Sequence, residues 1–259
     1  MMLGARTAAW SGKKWENPYL MDDLYIHWDA EWNSGGGVHD GNFRMVDLSG
    51  NGRDVTLPDS AIINSDNIVF TNNTGAYINR PQGDIQNFAR GWSVAGTVDF
   101  SDVDKTIEKD ISFLFGLGDS CCLISVRQKD GLFALQFSNI HNGLGSTSDY
   151  VYFYPDIQPW GTKGGKIHIV GVSDISNDVS TVYINGVKNS SKSGAGISGD
   201  QYNSWGRNGF GIGCGAGYNR PSSPTIGTKY FNALFFNRGI TADEAAHLFS
   251  IDNRRFGIV

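Results

Sequence analysis

Short apolar segments alternate with turn-forming residues along most of this chain. A dozen stand out: Leu24–Trp28, Ile68–Phe70, Ala76–Ile78, Trp92–Phe100, Ser112–Leu117, Cys122–Gln128, Leu132–Phe137, Val151–Tyr154, Lys166–Val172, Ser180–Ile184, Phe210–Gly213 and Tyr230–Phe236. Several alternate apolar with polar or small residues, the period-two pattern of a strand with one buried face. Lys129-Asp130-Gly131 and Asn185-Gly186 supply the positive φ that a tight hairpin needs. Asn33-Ser34-Gly35-Gly36-Gly37 and Asp47-Leu48-Ser49-Gly50-Asn51-Gly52 read as glycine-rich loops. No helical period falls between strands, so the pattern predicts an all-β fold of two antiparallel sheets packed face to face.

One helix is predicted, near the C-terminal end. Thr241-Ala242-Asp243-Glu244 has the spacing of a capping box, and Ala245, Leu248 and Phe249 form the stripe expected to dock on the sandwich. Residues 1–20 lack a clear period and are expected to form an arm that packs on the domain or on a neighbouring subunit. Residues 21–259 then make one sandwich domain.

Composition narrows the partners. The 34 glycines beside 7 prolines suit a turn-rich β protein. A net charge of −5 and no Lys/Arg run longer than two residues leave no broad basic field, which argues against nucleic acid. No window has the roughly 20 apolar residues of a membrane span. Met1 to Trp15 lacks the apolar stretch of a cleavable secretory signal. Cys121, Cys122 and Cys214 fit neither a disulfide framework nor a zinc site and are expected as reduced core thiols.

Three kinds of chemistry are weighed on the residues. Asp29 and Glu31 lie between Trp28 and Trp32; if that stretch stayed extended, both carboxylates would share one face, as a glycosidase pair must. The chain leaves for a glycine loop immediately afterwards, so the expectation is that it is not an enzyme. His27, His39, His141, His168 and His247 have no nucleophile-elbow serine beside them and are expected to be structural or exposed. Asp29, Asp40, Asp47, Asn51 and Asp54 offer oxygen ligands on early loops, the donor set calcium prefers. For a sugar, Trp32 and the polar loop holding Tyr202, Asn203, Trp205 and Arg207 combine rings with amide and guanidinium groups.

Three stretches together carry a resemblance. Trp28-Asp29 followed by the glycine loop and Val46-Asp47-Leu48-Ser49-Gly50-Asn51-Gly52 comes first. Ser180-Thr181-Val182-Tyr183-Ile184-Asn185-Gly186-Val187 comes next, and Phe236-Asn237-Arg238-Gly239-Ile240-Thr241-Ala242-Asp243-Glu244 closes the set. Their order and spacing resemble laminin-G-like (LamG) domains of the concanavalin A-like lectin/glucanase superfamily, over roughly residues 22–257. The resemblance implies a two-sheet antiparallel jelly roll with one short C-terminal helix, often with calcium.

The opening Met1–Trp10, joined directly to such a domain, is similar to proteins encoded by phages and prophages. That similarity implies a virion or extracellular component, a tail or head fibre or a decoration protein, attached to other virion proteins through residues 1–20. It would present the sandwich, as a homo-oligomer, to a glycan or cell-surface ligand. The alternatives are a purely structural virion assembly protein and a glycoside hydrolase with a degenerate site.

Overall fold

The strand pattern is realised in a computed structural model, which describes residues 17–19, 21–34, 44–59, 61–71, 75–79, 91–103, 109–117, 122–129, 132–140, 150–153, 165–193, 209–214 and 226–259. In chain order the strands are β1 (Leu24–Asp29), β2 (Arg44–Met45), β3 (Val55–Thr56), β4 (Ala61–Ile63), β5 (Ile68–Phe70), β6 (Ala76–Asn79), β7 (Trp92–Asp99) and β8 (Lys109–Leu117). They continue with β9 (Cys122–Lys129), β10 (Leu132–Ile140), β11 (Tyr150–Phe153), β12 (Lys166–Asp174), β13 (Val179–Ile184), β14 (Val187–Ser193), β15 (Gly209–Ile212) and β16 (Lys229–Phe236). Helix α1 spans Ala30–Ser34 and helix α2 spans Ala242–Phe256.

One sheet runs β14-β13-β12-β7-β16-β5-β4, with β1 also paired to β16; the second runs β11-β10-β9-β8-β15-β6. Every pairing is antiparallel, including the small β2–β3 ribbon. The fold class read from the sequence, an all-β antiparallel sandwich with one C-terminal helix, is the observed one. Helix α1 is an addition to it. Among the described residues, no helix is long and apolar enough to cross a membrane.

Strand alternation sorts side chains between two interiors. Trp28, Val94, Val98, Ile167, Ile169, Tyr230 and Phe235 point from the first sheet into a core shared with Phe115, Phe210 and Ile212 of the second. Phe210 meets Phe235 edge to face at 5.2 Å and Tyr25 at a tilt at 5.2 Å, and Phe115 meets Tyr230 edge to face at 6.1 Å. Ala95, Val170, Val172, Leu234 and Phe236 face the other way, onto Ala245, Leu248 and Ile251 of α2. Buried on both faces, β7 and β16 are near-continuous apolar runs rather than clean alternations.

The three motifs of the sequence each close part of this assembly. Asn185 and Gly186 both adopt positive φ, 49° and 75°, the requirement of a two-residue hairpin turn. The tip of that hairpin rests on α2, where a Cβ on Gly186 would lie 3.0 Å from the Phe249 ring. Phe249 therefore packs at the hairpin tip, while the docking stripe is Ala245, Leu248, Ile251, Asp252 and Phe256. Thr241 and Glu244 form the capping box. Arg238 then grips Glu244 with both guanidinium nitrogens, at 2.6 and 2.8 Å, and holds that carboxyl down at about 2.

The described end of the N-terminal arm belongs to the domain: Tyr19 has no exposed surface and Asn17 is 4% exposed. Cys214 is a free buried thiol, pushed up to about 12 by desolvation. Cys121 lies outside the described residues. Gly96 faces Phe115 of the second sheet with no room for a side chain: a Cβ there would lie 2.6 Å from the Asn232 carbonyl oxygen and 2.4 Å from Phe115 Cζ. Gly96→Ala is expected to cost about 1–3 kcal/mol through overpacking, read as a lower urea midpoint at an unchanged m-value.

Candidate functional site

Four strands each present one buried polar residue to the helix side at the same level. Register pairs Asp29 of β1 with Asn232 of β16, Asn232 with Thr97 of β7, and Thr97 with His168 of β12. A polar row in an apolar layer must find hydrogen-bond partners from the layer above it. Helix α2 and the Asn17–Tyr19 segment provide them.

Asp252 of α2, itself without exposed surface, is the centre of the acceptor side. Its carboxylate accepts from Thr97 Oγ1 at 2.5 Å, from Asn232 Nδ2 at 3.0 and 3.1 Å, and from the Tyr19 hydroxyl. One helical turn on, Arg255 is the donor. Its Nη1 and Nη2 hold the two oxygens of Asp29 at 2.7 and 3.0 Å, Nη1 donates to Tyr19 Oη at 2.8 Å, and Nη2 reaches Glu31 at 2.6 Å.

The local sequence explains how these groups meet. Asp29 ends β1 and then accepts the Trp32 backbone N–H at 3.0 Å, an N-cap contact that starts α1. The stretch from Trp28 to Trp32 is thus not extended. Its helical turn swings Glu31 and Trp32 round to Arg255, whose guanidinium carbon lies 4.0 Å from the Trp32 ring centre in a cation–π contact. Tyr19 and His27 meet the same indole edge-on at 5.6 and 5.5 Å. Asp29 and Glu31 do converge, on one guanidinium rather than across a cleft.

Burial alone would raise the Asp29 carboxyl, but its interactions with His27 and Arg255 outweigh that and hold it below its ordinary value. Asp252 goes the other way. Desolvation pushes it up to about 6 despite its hydrogen bonds from Thr97, Tyr19 and Asn232. His168, equally buried, is driven down to about 3 by desolvation, so its ring is neutral at neutral pH. Of the other histidines, His27 is buried and His247 exposed; His39 and His141 lie outside the described residues.

In the described part of the early loops, polar side chains turn onto their own backbone and onto β1. Asp47 accepts the backbone N–H groups of His27, Ser49 and Arg53 at 2.9, 3.0 and 3.0 Å and the Ser49 hydroxyl at 2.8 Å. Asn51 donates to the carbonyls of Leu24 and Tyr25, both at 3.1 Å, and Asp54 accepts the Asp47 N–H at 2.7 Å. These contacts pin the loop to β1 and engage the Asp47 and Asp54 oxygens with N–H and O–H donors. Among the described residues, no group of three or more His, Cys, Asp or Glu side chains is placed to hold a metal ion. Asp40 lies outside the described residues, as do Tyr202, Asn203, Trp205 and Arg207 of the candidate ligand loop. Trp32, the remaining candidate, is partly exposed.

Sequence reasoning found Asp29, Glu31 and Trp32 but missed Tyr19, Asn232, Asp252 and Arg255. The Asp29-to-Trp32 N-cap spacing was a readable local signal for α1. Nothing local marks the pairing of Asp29 with Arg255, 226 residues away.

No family model matches the sequence, and no curated protein is similar to it. Solved structures are similar in fold. The botulinum neurotoxin serotype D/C VPI 5993 binding domain superposes with a TM-score of 0.62 over 91% of this chain and 53% of that one, at 11% identity. The receptor binding domain of the botulinum neurotoxin C/D mosaic serotype gives 0.62 over 88% and 51%, at 10% identity. The Trypanosoma rangeli sialidase in complex with sialic acid gives 0.58 over 92% and 34%, at 14% identity. The chain therefore spans about half of the toxin domains and about a third of the sialidase. At these identities the likeness is one of architecture: an all-β fold that also serves in receptor-binding domains and as part of a sialidase chain.

Removing the guanidinium would leave Asp29 charged, buried and unpaired. Arg255→Ala is expected to destabilise the domain by about 3–5 kcal/mol. Arg255→Lys should recover only part of that, because an ammonium cannot make the two-pronged contact. Chemical denaturation of the three proteins at pH 7 measures both.

Proposed function

We propose that this domain is a non-catalytic recognition module for a glycan or another cell-surface ligand. The observation that carries the reading is the arrangement at Trp32. Trp32 is a partly exposed residue with the Arg255 guanidinium stacked over one face of its ring, and the side chain of neighbouring Glu31 is 46% exposed. A ring face with adjacent hydrogen-bonding groups is what a sugar needs to stack and orient its hydroxyls.

The acids support binding over hydrolysis. A glycosidase needs one carboxyl to protonate the leaving group and a second facing it across the bond. Asp29 is held ionised by Arg255 beneath the surface, Glu31 shares the same guanidinium, and Asp252, pushed up to about 6, is wholly buried on the inner face of α2. The fold shared with two toxin domains described as binding or receptor binding points the same way.

The narrower reading is a LamG-like module on a phage virion, attached through its N-terminal arm and presented as a homo-oligomer. It rests on the sequence motifs. Within it, the Tyr202–Arg207 loop is a second ligand contact.

Glycan-array binding of the intact chain tests the proposal. Trp32→Ala and Trp205→Ala are each expected to weaken a positive signal about tenfold or more, roughly 1.4 kcal/mol, with the fold retained by circular dichroism. An absence of glycan signal, together with loss of assembly on deleting residues 1–16, would favour the purely structural virion role. That deletion spares the buried Asn17 and Tyr19. Reducing sugar released from a polysaccharide panel, and lost in Asp29→Asn or Glu31→Gln, would establish the hydrolase instead.

A further inference from the structure

The buried charges under α2 do not balance. Asp29 and Asp252 both have no exposed surface, and one guanidinium lies near them. Its nitrogens are engaged by Asp29, Glu31 and Tyr19, so no direct ion pair reaches Asp252. On the other side of Asp252, the fully buried ring of His168 has no hydrogen-bond partner at either nitrogen among the described residues. Its Nε2 lies 3.8 Å from Asp252 Oδ2, beyond hydrogen-bond reach.

We propose that Asp252 and His168 form a binding slot for one proton beneath helix α2, and that filling the slot tightens the helix on the sheet while emptying it loosens the helix. The proton comes from solvent and bonds to Asp252 Oδ2, converting the carboxylate to a neutral acid. The new O–H donates to Nε2 of the neutral imidazole. One proton thereby removes a buried charge that no cation meets directly and gives Nε2 a hydrogen-bond partner, where both the charge and the lone nitrogen are costly in an apolar layer. No second proton is needed, because His168 stays neutral down to about pH 3.

The other titratable and charged groups around the slot come from every element packed there. Arg255 on α2 is paired with Asp29. Tyr19, on the N-terminal segment, has its hydroxyl held neutral by burial. On β1, Asp29 is kept ionised, and His27 faces Asp29 rather than Asp252, with Nε2 at 3.6 Å. Glu31 of α1 sits at the rim, and Lys166 of β12 donates to the Phe256 carbonyl at 2.7 Å. Thr97 and Asn232, on β7 and β16, do not titrate.

The sign follows from Asp252 being raised from its ordinary 3.8 to about 6 in the folded state. Its contribution to helix docking is fully present below pH 3.8 and disappears as pH rises through about 6. Between pH 5 and pH 8 the opening equilibrium of α2 is expected to increase about tenfold.

Hydrogen exchange of the α2 amides in the full chain, corrected for intrinsic rates, measures that equilibrium at both pH values. The proposal predicts the tenfold increase in the wild type and a ratio near one in Asp252→Asn. An unchanged wild-type equilibrium, or the same increase in Asp252→Asn, overturns it. Should Asp252→Asn fail to fold, the wild type decides alone by NMR. The Asp252 13Cγ and His168 15Nε2 shifts should move together with a midpoint near pH 6, whereas ionisation of Asp252 below about pH 4.5, or a His168 signal that does not follow it, overturns the shared slot.

Discussion

The contact between Arg255 and Asp29 governs how the outer half of this molecule is put together. A carboxylate with no exposed surface is costly to keep charged, and for Asp29 the two-pronged guanidinium meets both oxygens at once. Because Arg255 and Asp252 lie three residues apart on one helical face, anchoring the first sets the second over Thr97 and Asn232. The same anchor holds Tyr19 and Trp32 against the helix. A rotation of α2 about its axis would therefore break several buried polar contacts together, whereas a purely apolar seat would tolerate sliding.

Acidic residues of the same type serve distinct purposes here, and position decides which. Asp47 turns inward upon its own loop and fixes the backbone next to β1. Asp29 closes a strand, starts a helix and carries an ion pair. Asp252 is a hub for hydroxyl and amide donors between layers. In the polar seam of the described structure the carboxylates are part of the architecture.

How much of this could be read from residues alone depends on the range of the interaction. Asn185-Gly186 and the Thr241–Glu244 box are set by contacts within a few residues, and both appear where the sequence places them. The longer strands with an apolar face were equally legible, while the two- and three-residue strands β2, β3 and β4 are too short to show a period. Strand β14 was not legible either, because Val187–Ser193 is almost wholly polar and owes its place to the hairpin turn before it. Asp252 was visible as a helix residue, but its burial depends on Thr97, Asn232 and Tyr19, which come from three separate parts of the chain. Asp29, a reasonable metal ligand or catalytic acid by composition, is committed to a partner that only the fold brings near.

Strand β1 pairs with β16 along its length, from Leu24 opposite Phe236 to Asp29 opposite Asn232. Strand β1 must therefore wait for β16, far along the chain, before that edge is covered, and the seam above them waits for the helix that follows β16. Until then the chain exposes an unpaired apolar strand edge, a state open to association with other chains. Such a domain gains most from a chaperone during synthesis, and its folding is expected to be slow because closure joins distant parts of the chain.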